Sequence, residues 1–196
     1  MKNKKWAVES INNNDTYVVL FISRTKDNKH VENFTERRRS FITKHTVNDE
    51  SLIRKFNDFV NAGVSGEVCR MYYSVNARND DAVYKDLLHF LFDNPDFNLC
   101  SLNSKLAGIA AVNKNAKTKR WMFDFDIDDE NKLHEFVNDI LSIEPNIEVI
   151  DYKTPNGYAV VTSRGFDTRE LFKKWSDTDI CLKRDDLLCV RWTTKE

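Results

Sequence analysis

The amino-acid sequence predicts an α+β fold whose C-terminal part is a split β-α-β-β-α-β antiparallel sheet. Two segments there, residues 130–143 and 167–175, repeat apolar residues at helical spacing, and short runs rich in β-branched and aromatic residues lie around them. Of the 196 residues, 41% are hydrophobic, so the chain can bury a core of this size. We expect both helices on one face of the sheet, which leaves the opposite face accessible.

The first 118 residues predict an N-terminal α/β module that packs on this core. Its predicted strands cover residues 16–23, 39–47 and 67–75. Its predicted helices cover residues 52–60, 80–94 and 101–112. Asp49 is a suitable N-cap for the first helix, and Gly63 ends it. The first two strands are expected to pair antiparallel.

Residues 119–196 form the predicted core. Its strands are expected over residues 119–127, 146–154, 158–163, 179–185 and 187–193. A Pro-Asn-Gly turn at 155–157 joins the second and third of these strands. Asp167 is the expected cap of the second core helix.

Composition excludes several classes of protein. The 30 Lys and Arg residues balance 31 Asp and Glu residues, so the chain is not a globally basic nucleic-acid coat. Two local basic runs can contact phosphate, although such runs are more often solvated surface: Arg37, Arg38 and Arg39, and Lys114, Lys117, Lys119 and Arg120. The four cysteines form no Cys-x-x-Cys pair, which argues against a zinc site. The first ten residues contain no apolar stretch typical of a signal peptide, and no segment is apolar enough to span a membrane, so we expect a cytoplasmic protein without a membrane partner.

The most informative segment is the strand around Asp124 and Asp126. Side chains alternate across a strand, so Trp121, Phe123 and Phe125 face the helices and the two carboxylates face the other way. Carboxylates at positions i and i+2 lie about 7 Å apart at the backbone and can converge on Mg²⁺ or Mn²⁺. The alternative is an acidic strand end that runs into a solvated turn. That reading suits Asp128 and Asp129 better, because they precede a helix.

These residues resemble motifs of the archaeo-eukaryotic primase superfamily, also called the primase-polymerase group. The family carries an hhDhD strand, matched here by residues 122–126, and a later turn-strand motif S/T-x-x-G-x-H, matched by residues 154–159. A last acidic residue beside a strand corresponds to Asp185 or Asp186, which can equally form a plain turn between two strands. The resemblance implies an RRM-like catalytic core in which Asp124 and Asp126 are catalytic and bind Mg²⁺ or Mn²⁺, with Asp186 as the third metal ligand.

The family resemblance also implies a function. It predicts metal-dependent nucleotidyl or phosphoryl transfer on a nucleoside triphosphate or single-stranded nucleic acid. The position of the family's phosphate-binding histidine is Ala159, which favours an alternative: a degenerate relative that binds nucleotide, single-stranded nucleic acid or a host protein without turnover. The Asn- and Lys-rich composition is similar to that of proteins from large bacteriophages, which would place the protein in the host cytoplasm.

Four further residues complete the predicted substrate-binding set. Arg78 follows a strand in an Asn-x-Arg sequence that primase-polymerase proteins often carry, although an arginine before a helix is commonly only solvated. Lys153, Asn156 and Lys183 lie in or near the motifs, and the two lysines can supply positive charge that Ala159 does not. Tyr72 and Tyr73 can stack on bases, with core packing the better explanation for at least one of them. We also expect the strand of Ala159 to pair beside the strand of Asp124.

Overall fold

The computed structural model describes residues 14–196 and shows an α+β architecture with two four-stranded antiparallel sheets. The strands are β1 (Tyr17–Ser23), β2 (Arg37–Thr43), β3 (Val68–Ser74), β4 (Trp121–Phe125), β5 (Val149–Thr154), β6 (Gly157–Thr162), β7 (Ile180–Lys183) and β8 (Leu187–Thr194). The helices are α1 (Glu50–Asn61), α2 (Asp80–Asp93), α3 (Leu102–Ala110), α4 (Glu130–Ile143) and α5 (Arg169–Lys174). The expectation that the first ten residues are no signal peptide concerns a part of the chain outside the described residues.

The N-terminal sheet has the strand order β2-β1-β3-β8. The predicted antiparallel pairing of its first two strands is confirmed, with Tyr17 opposite Thr43. Helix α1 begins at the predicted N-cap, since the Asp49 carboxylate accepts hydrogen bonds from the backbone N–H groups of Ser51 and Leu52. Its buried face, which includes Phe56, packs on the side of the sheet that carries the odd-numbered residues of β1 and β3.

The C-terminal sheet has the strand order β5-β6-β4-β7, which is a split β-α-β arrangement. Phe123 and Phe125 of β4 pack against α4 and α5 in one core cluster. The prediction of two helices on one face of this sheet is therefore confirmed. The even-numbered residues of β4 face the N-terminal sheet, where Met122 packs with Leu188 and Val75 between the two sheets.

One strand lies in a different sheet from the one that the sequence predicted. We expected residues 119–193 to form a single sheet, but β8 pairs antiparallel with β3, with Tyr73 opposite Leu188. Leu188 and Cys189 of β8 are buried, and the pairing continues past β3, where the Lys195 N–H donates to the Glu67 carbonyl oxygen at 2.8 Å. Strand β8 therefore links the C-terminal end of the chain to the N-terminal sheet.

Candidate functional site: a cleft between the two sheets

A cleft of about 370 Å³ opens between the side of the N-terminal sheet that carries Leu20 and Tyr72 and the face of the C-terminal sheet opposite α4 and α5. The N-terminal sheet lines it with side chains of β1 and β3, and the C-terminal sheet with side chains of β4, β6 and β7. Its volume is within the usual range of small-molecule sites. Helices α2 and α3 pack on the same side of the N-terminal sheet near Val18 and Ile42, so the cleft occupies the part of this face that they leave uncovered.

Strand β4 places two carboxylates in this cleft. Because Phe123 and Phe125 point into the helix-covered core, the alternation of the strand directs Asp124 and Asp126 to the cleft. Asp124 is half-buried and Asp126 is exposed. Burial raises the pKa of Asp124, the negative charge of Asp126 raises it further, and Lys183 opposes both effects. A bound cation would relieve the repulsion between the two carboxylates.

A third carboxylate reaches the cleft from the turn before β8. Asp186 lines the cleft, and its charge contributes to the raised pKa of Asp124. Its Oδ1 accepts a hydrogen bond from the Leu187 N–H at 2.8 Å, which fixes the side chain at the strand start. The neighbouring Asp185 is turned away and buried, so Asp186 is the acid of this turn that lies in the cleft.

The opposite wall of the cleft is cationic. Arg24 and Lys26 follow β1, and Arg70 lies on β3. Asp27 orients both arginines: its carboxylate accepts from Arg24 Nε at 2.9 Å and from Arg70 Nη2 at 2.6 Å. Two arginines on one carboxylate leave net positive charge facing Asp124 and Asp126 across the cleft.

Arg70 and Tyr72 add further polar groups to this wall. The Arg70 side chain is 9% exposed, and within residues 14–196 its buried Nε has no hydrogen-bond partner. Tyr72 lines the cleft, and burial raises the pKa of its phenol, which keeps the hydroxyl protonated. Tyr73 is buried on the opposite face and donates to the His45 carbonyl oxygen at 2.9 Å, so only Tyr72 of the pair is placed to meet a ligand.

The β5–β6 turn forms the rim of the cleft beside Asp126. Asn156 lies in this turn and lines the cleft. Gly157 approaches β4 so closely that a Cβ there would lie 2.4 Å from the Phe125 carbonyl oxygen. The turn therefore requires glycine, and the contact holds Asn156 next to the carboxylate strand.

Ala159 lies where the sequence predicted it. In the β4–β6 ladder it stands directly opposite Asp124, and its methyl group lines the cleft at 2% exposure. A methyl group neither donates nor accepts a hydrogen bond. On the other side of β4, Cys181 of β7 is the residue opposite Asp124 and is exposed. Thus neither of the two residues directly opposite Asp124 on the neighbouring strands carries a charged group.

Arg78, assigned to substrate binding from the sequence, does not line the cleft. Its guanidinium donates to both carboxylate oxygens of Asp185, at 2.7 and 3.0 Å, and the two side chains are 1% and 2% exposed. Asn76 donates to the same carboxylate at 3.1 Å. These contacts hold the β7–β8 turn against the end of β3, so the role of Arg78 is structural.

Lys153 also lies outside the cleft. It pairs with the exposed carboxylate of Asp128, and its Nζ lies 4.4 Å from the centre of the Tyr158 ring. In the β5–β6 ladder Lys153 is opposite Tyr158, which packs against the helix-covered core. Pairing with a residue of that face directs Lys153 away from Asp124.

The two basic runs are partly neutralised by acidic neighbours. Arg37 donates to the buried Glu67 carboxylate at 2.6 Å and lies over the Phe59 ring. In the second run, Lys114 pairs with Asp86 and Lys117 with Asp15. None of the residues of either run lines the cleft.

The cleft carboxylates suit a cation that takes part of its coordination from its ligand. Among residues 14–196 no group of three or more His, Cys, Asp or Glu side chains is assembled to hold a metal ion. Asp124 and Asp126, with Asp186 in the same cleft, nevertheless offer hard oxygen ligands that Mg²⁺ combines with water and substrate phosphates. The donor set therefore fits a cation that arrives with a phosphorylated ligand better than a resident metal.

Comparison with protein-family models, with curated proteins and with solved structures finds no match to this chain. In the part of the chain that the structure describes, no helix is both long and apolar enough to cross a membrane.

Arg24 and Lys26 are candidate site residues that sequence reasoning missed. They lie in a polar stretch after β1 that carries no recognised motif. The residue of this stretch that could have indicated an ordered loop is Asn28, which is 1% exposed. Its side chain accepts a hydrogen bond from the Val68 N–H at 2.6 Å and donates one to the Val68 carbonyl oxygen at 3.1 Å. An asparagine soon after a strand can bond to backbone groups in this way and fix the start of a loop.

Proposed function

We propose that the cleft binds a nucleoside triphosphate together with Mg²⁺ or Mn²⁺ and transfers its nucleotidyl or phosphoryl group, in the manner of a primase-polymerase protein with an RRM-like core. The observation that carries the proposal is the placement of Asp124 and Asp126 in one cleft with the cationic wall of Arg24, Lys26 and Arg70. The strand order β5-β6-β4-β7 with two helices on one face is compatible with the RRM-like assignment.

The distribution of charge supports a phosphorylated ligand. Three carboxylates and four cationic side chains line the same cleft, with the carboxylates on the C-terminal side and three of the cations on the N-terminal side. A carboxylate ligand alone would be repelled by Asp124 and Asp126, and a metal ion alone would be repelled by the arginines. A triphosphate with its cation presents both signs of charge and matches both walls.

Each group then has a defined task. Asp124 and Asp126 would hold the cation, which stabilises negative charge as it develops on the transferred group. Arg24, Lys26 and Lys183 would neutralise phosphate oxygens by charge-assisted hydrogen bonds. The Tyr72 ring offers a surface on which a base can stack.

Binding without turnover is the second candidate function, and Ala159 favours it. The residue directly opposite Asp124 supplies no donor to a phosphate, and neither Lys153 nor Arg78 lies in the cleft to replace it. Lys183 is the cation of the C-terminal sheet that lines the cleft. A host protein as partner stays a prediction from the sequence, since a cleft of this volume suits a small ligand.

Calorimetry on the full chain with ATP and Mn²⁺ tests the shared binding step. The Asp124→Asn/Asp126→Asn variant should bind at least about tenfold more weakly, because it loses both charged cation ligands. Asp151→Asn is the matched control, since Asp151 is an exposed carboxylate of the same sheet and does not line the cleft. Identical titrations for the cleft variant and the control would contradict a metal role for the pair.

Product analysis separates the two candidates. Release of pyrophosphate or phosphate by the wild type, lost in the cleft variant, would support the transferase. Nucleotide binding with no product after prolonged incubation would support the binding protein. A wild type that binds neither nucleotide nor single-stranded nucleic acid would contradict both.

A further inference from the structure

Helix α2 carries an exposed apolar stripe. Tyr84, Leu88 and Phe92 are 48%, 57% and 82% exposed. They are spaced by four residues, so they lie along one face of the helix. Val83 is the buried residue of α2 and marks the opposite side, where the helix packs on the fold near Ala107 and Ala110 of α3.

The stripe is a continuous surface and not a set of scattered residues. Nine large hydrophobic residues are exposed among residues 14–196, and three of them form this one row. Together they expose about 400 Å² of mainly apolar surface, which is in the size range of the largest apolar patch of a typical monomer, a patch that is often functional. None of the three lines the cleft, so the stripe has no part in the proposed function.

The charges beside the stripe are arranged for self-association. Lys85, His89 and Asp93 are exposed and follow the same four-residue spacing along one flank of the stripe. When two identical helices pack antiparallel about a two-fold axis, each flank meets the same flank of the other helix. An axis near His89 would place Lys85 of each copy beside Asp93 of the other, which gives two opposite-charge pairs.

We infer that α2 is the contact surface for a second copy of this chain, packed antiparallel across the stripe. Tyr84 of one copy then packs near Phe92 of the other, and Leu88 packs near the axis. The two stripes bury about 800 Å², and the flanking rows bring the contact to about 1,200 Å². That area is at the low end for specific interfaces, a size typical of weak and reversible association.

Sedimentation velocity of the full chain over a range of concentrations tests the dimer. The wild type should shift from monomer to dimer as its concentration rises to about 100 μM. Phe92→Glu should weaken the dimer at least about tenfold, because it places a charge in the apolar contact. Val64→Glu is the matched control, since Val64 is 52% exposed and lies outside α2. Circular dichroism confirms that each variant is folded.

A charge exchange tests the antiparallel arrangement. Lys85→Asp and Asp93→Lys should each weaken the dimer several-fold, because the two-fold axis makes each contact occur twice and each substitution therefore creates two like-charge pairs. The double variant should return to within about threefold of the wild type, because the opposite-charge pairs are restored. A chain that stays monomeric at every concentration, or a Phe92→Glu variant that dimerises like the wild type, would overturn the inference. A double variant that is weaker than both single variants would overturn the antiparallel packing.

Discussion

The buried ion pair between Arg78 and Asp185 distinguishes a structural residue from a ligand-binding one. Arg78→Met removes the charge and keeps much of the side-chain volume. Asp185 would stay buried, with the Asn76 amide at 3.1 Å as its remaining donor. Removing one partner of a buried pair costs about 3–5 kcal/mol. We expect the lower half of that range, because the substitution also removes the buried Arg78 Nε, which has no hydrogen-bond partner among residues 14–196.

Urea unfolding followed by circular dichroism measures this loss. Arg169→Met is the control, since Arg169 pairs with Asp167 at the surface and its removal should not change the unfolding midpoint measurably. The double variant Arg78→Met/Asp185→Leu should be more stable than Arg78→Met alone, because no uncompensated carboxylate is left in the interior.

The same variants show whether the structural assignment of Arg78 is sound. We expect Arg78→Met to lower stability and, where it remains folded, to bind nucleotide nearly as the wild type does. A variant with unchanged stability and lost nucleotide binding would refute this reasoning, and would return Arg78 to the substrate-binding role that the sequence suggested.

Three further outcomes follow from the cleft. Ala159→His should tighten triphosphate binding about ten- to a hundredfold, because one charge-assisted hydrogen bond contributes about 1.5–3 kcal/mol. Ala159→Leu is a control of similar bulk, and equal affinities of the two variants in calorimetry would contradict the prediction. Asp124→Asn should raise the free energy of unfolding at pH 7, because the raised pKa means that the charged form is disfavoured in the folded state. Urea titrations should show this gain shrinking as the pH falls to the ordinary aspartate range near 3.8, because the wild-type carboxyl then becomes neutral, as the asparagine amide is. Gly157→Ala should destabilise the fold by about 1–3 kcal/mol in the same assay, since its Cβ meets the Phe125 carbonyl oxygen; an unchanged midpoint would show that the β5–β6 turn can move away.

Local patterns were sufficient to predict most individual elements. The alternation of Phe123 and Phe125 with Asp124 and Asp126 predicted both the strand and the side of the sheet on which the carboxylates lie. Helical spacing predicted α4 over the residues where the structure has it, 130–143. These features depend on which face of a segment is apolar, and that information is contained in the segment itself.

The candidate site could be predicted only in part. The strand of Ala159 was correctly expected beside the strand of Asp124, because a split β-α-β order inserts the third strand between the first two. Lys153 was expected near them because it is close in sequence, yet its strand turns it to the other face. A shift of one residue along a strand reverses the side on which a side chain lies, so proximity in sequence was a poor guide there.

The sequence by itself determined which residues form strands and helices and which of their faces are apolar. The tertiary structure decided which strands meet. It placed β8 beside β3, bound Arg78 to Asp185 across 107 positions, and set Arg24 and Arg70 against the β4 carboxylates. Such contacts join segments far apart in the chain, and each segment's own pattern is equally satisfied by other partners. Which segments come into contact depends on the combined burial of all the elements, which becomes defined only when the whole fold has formed.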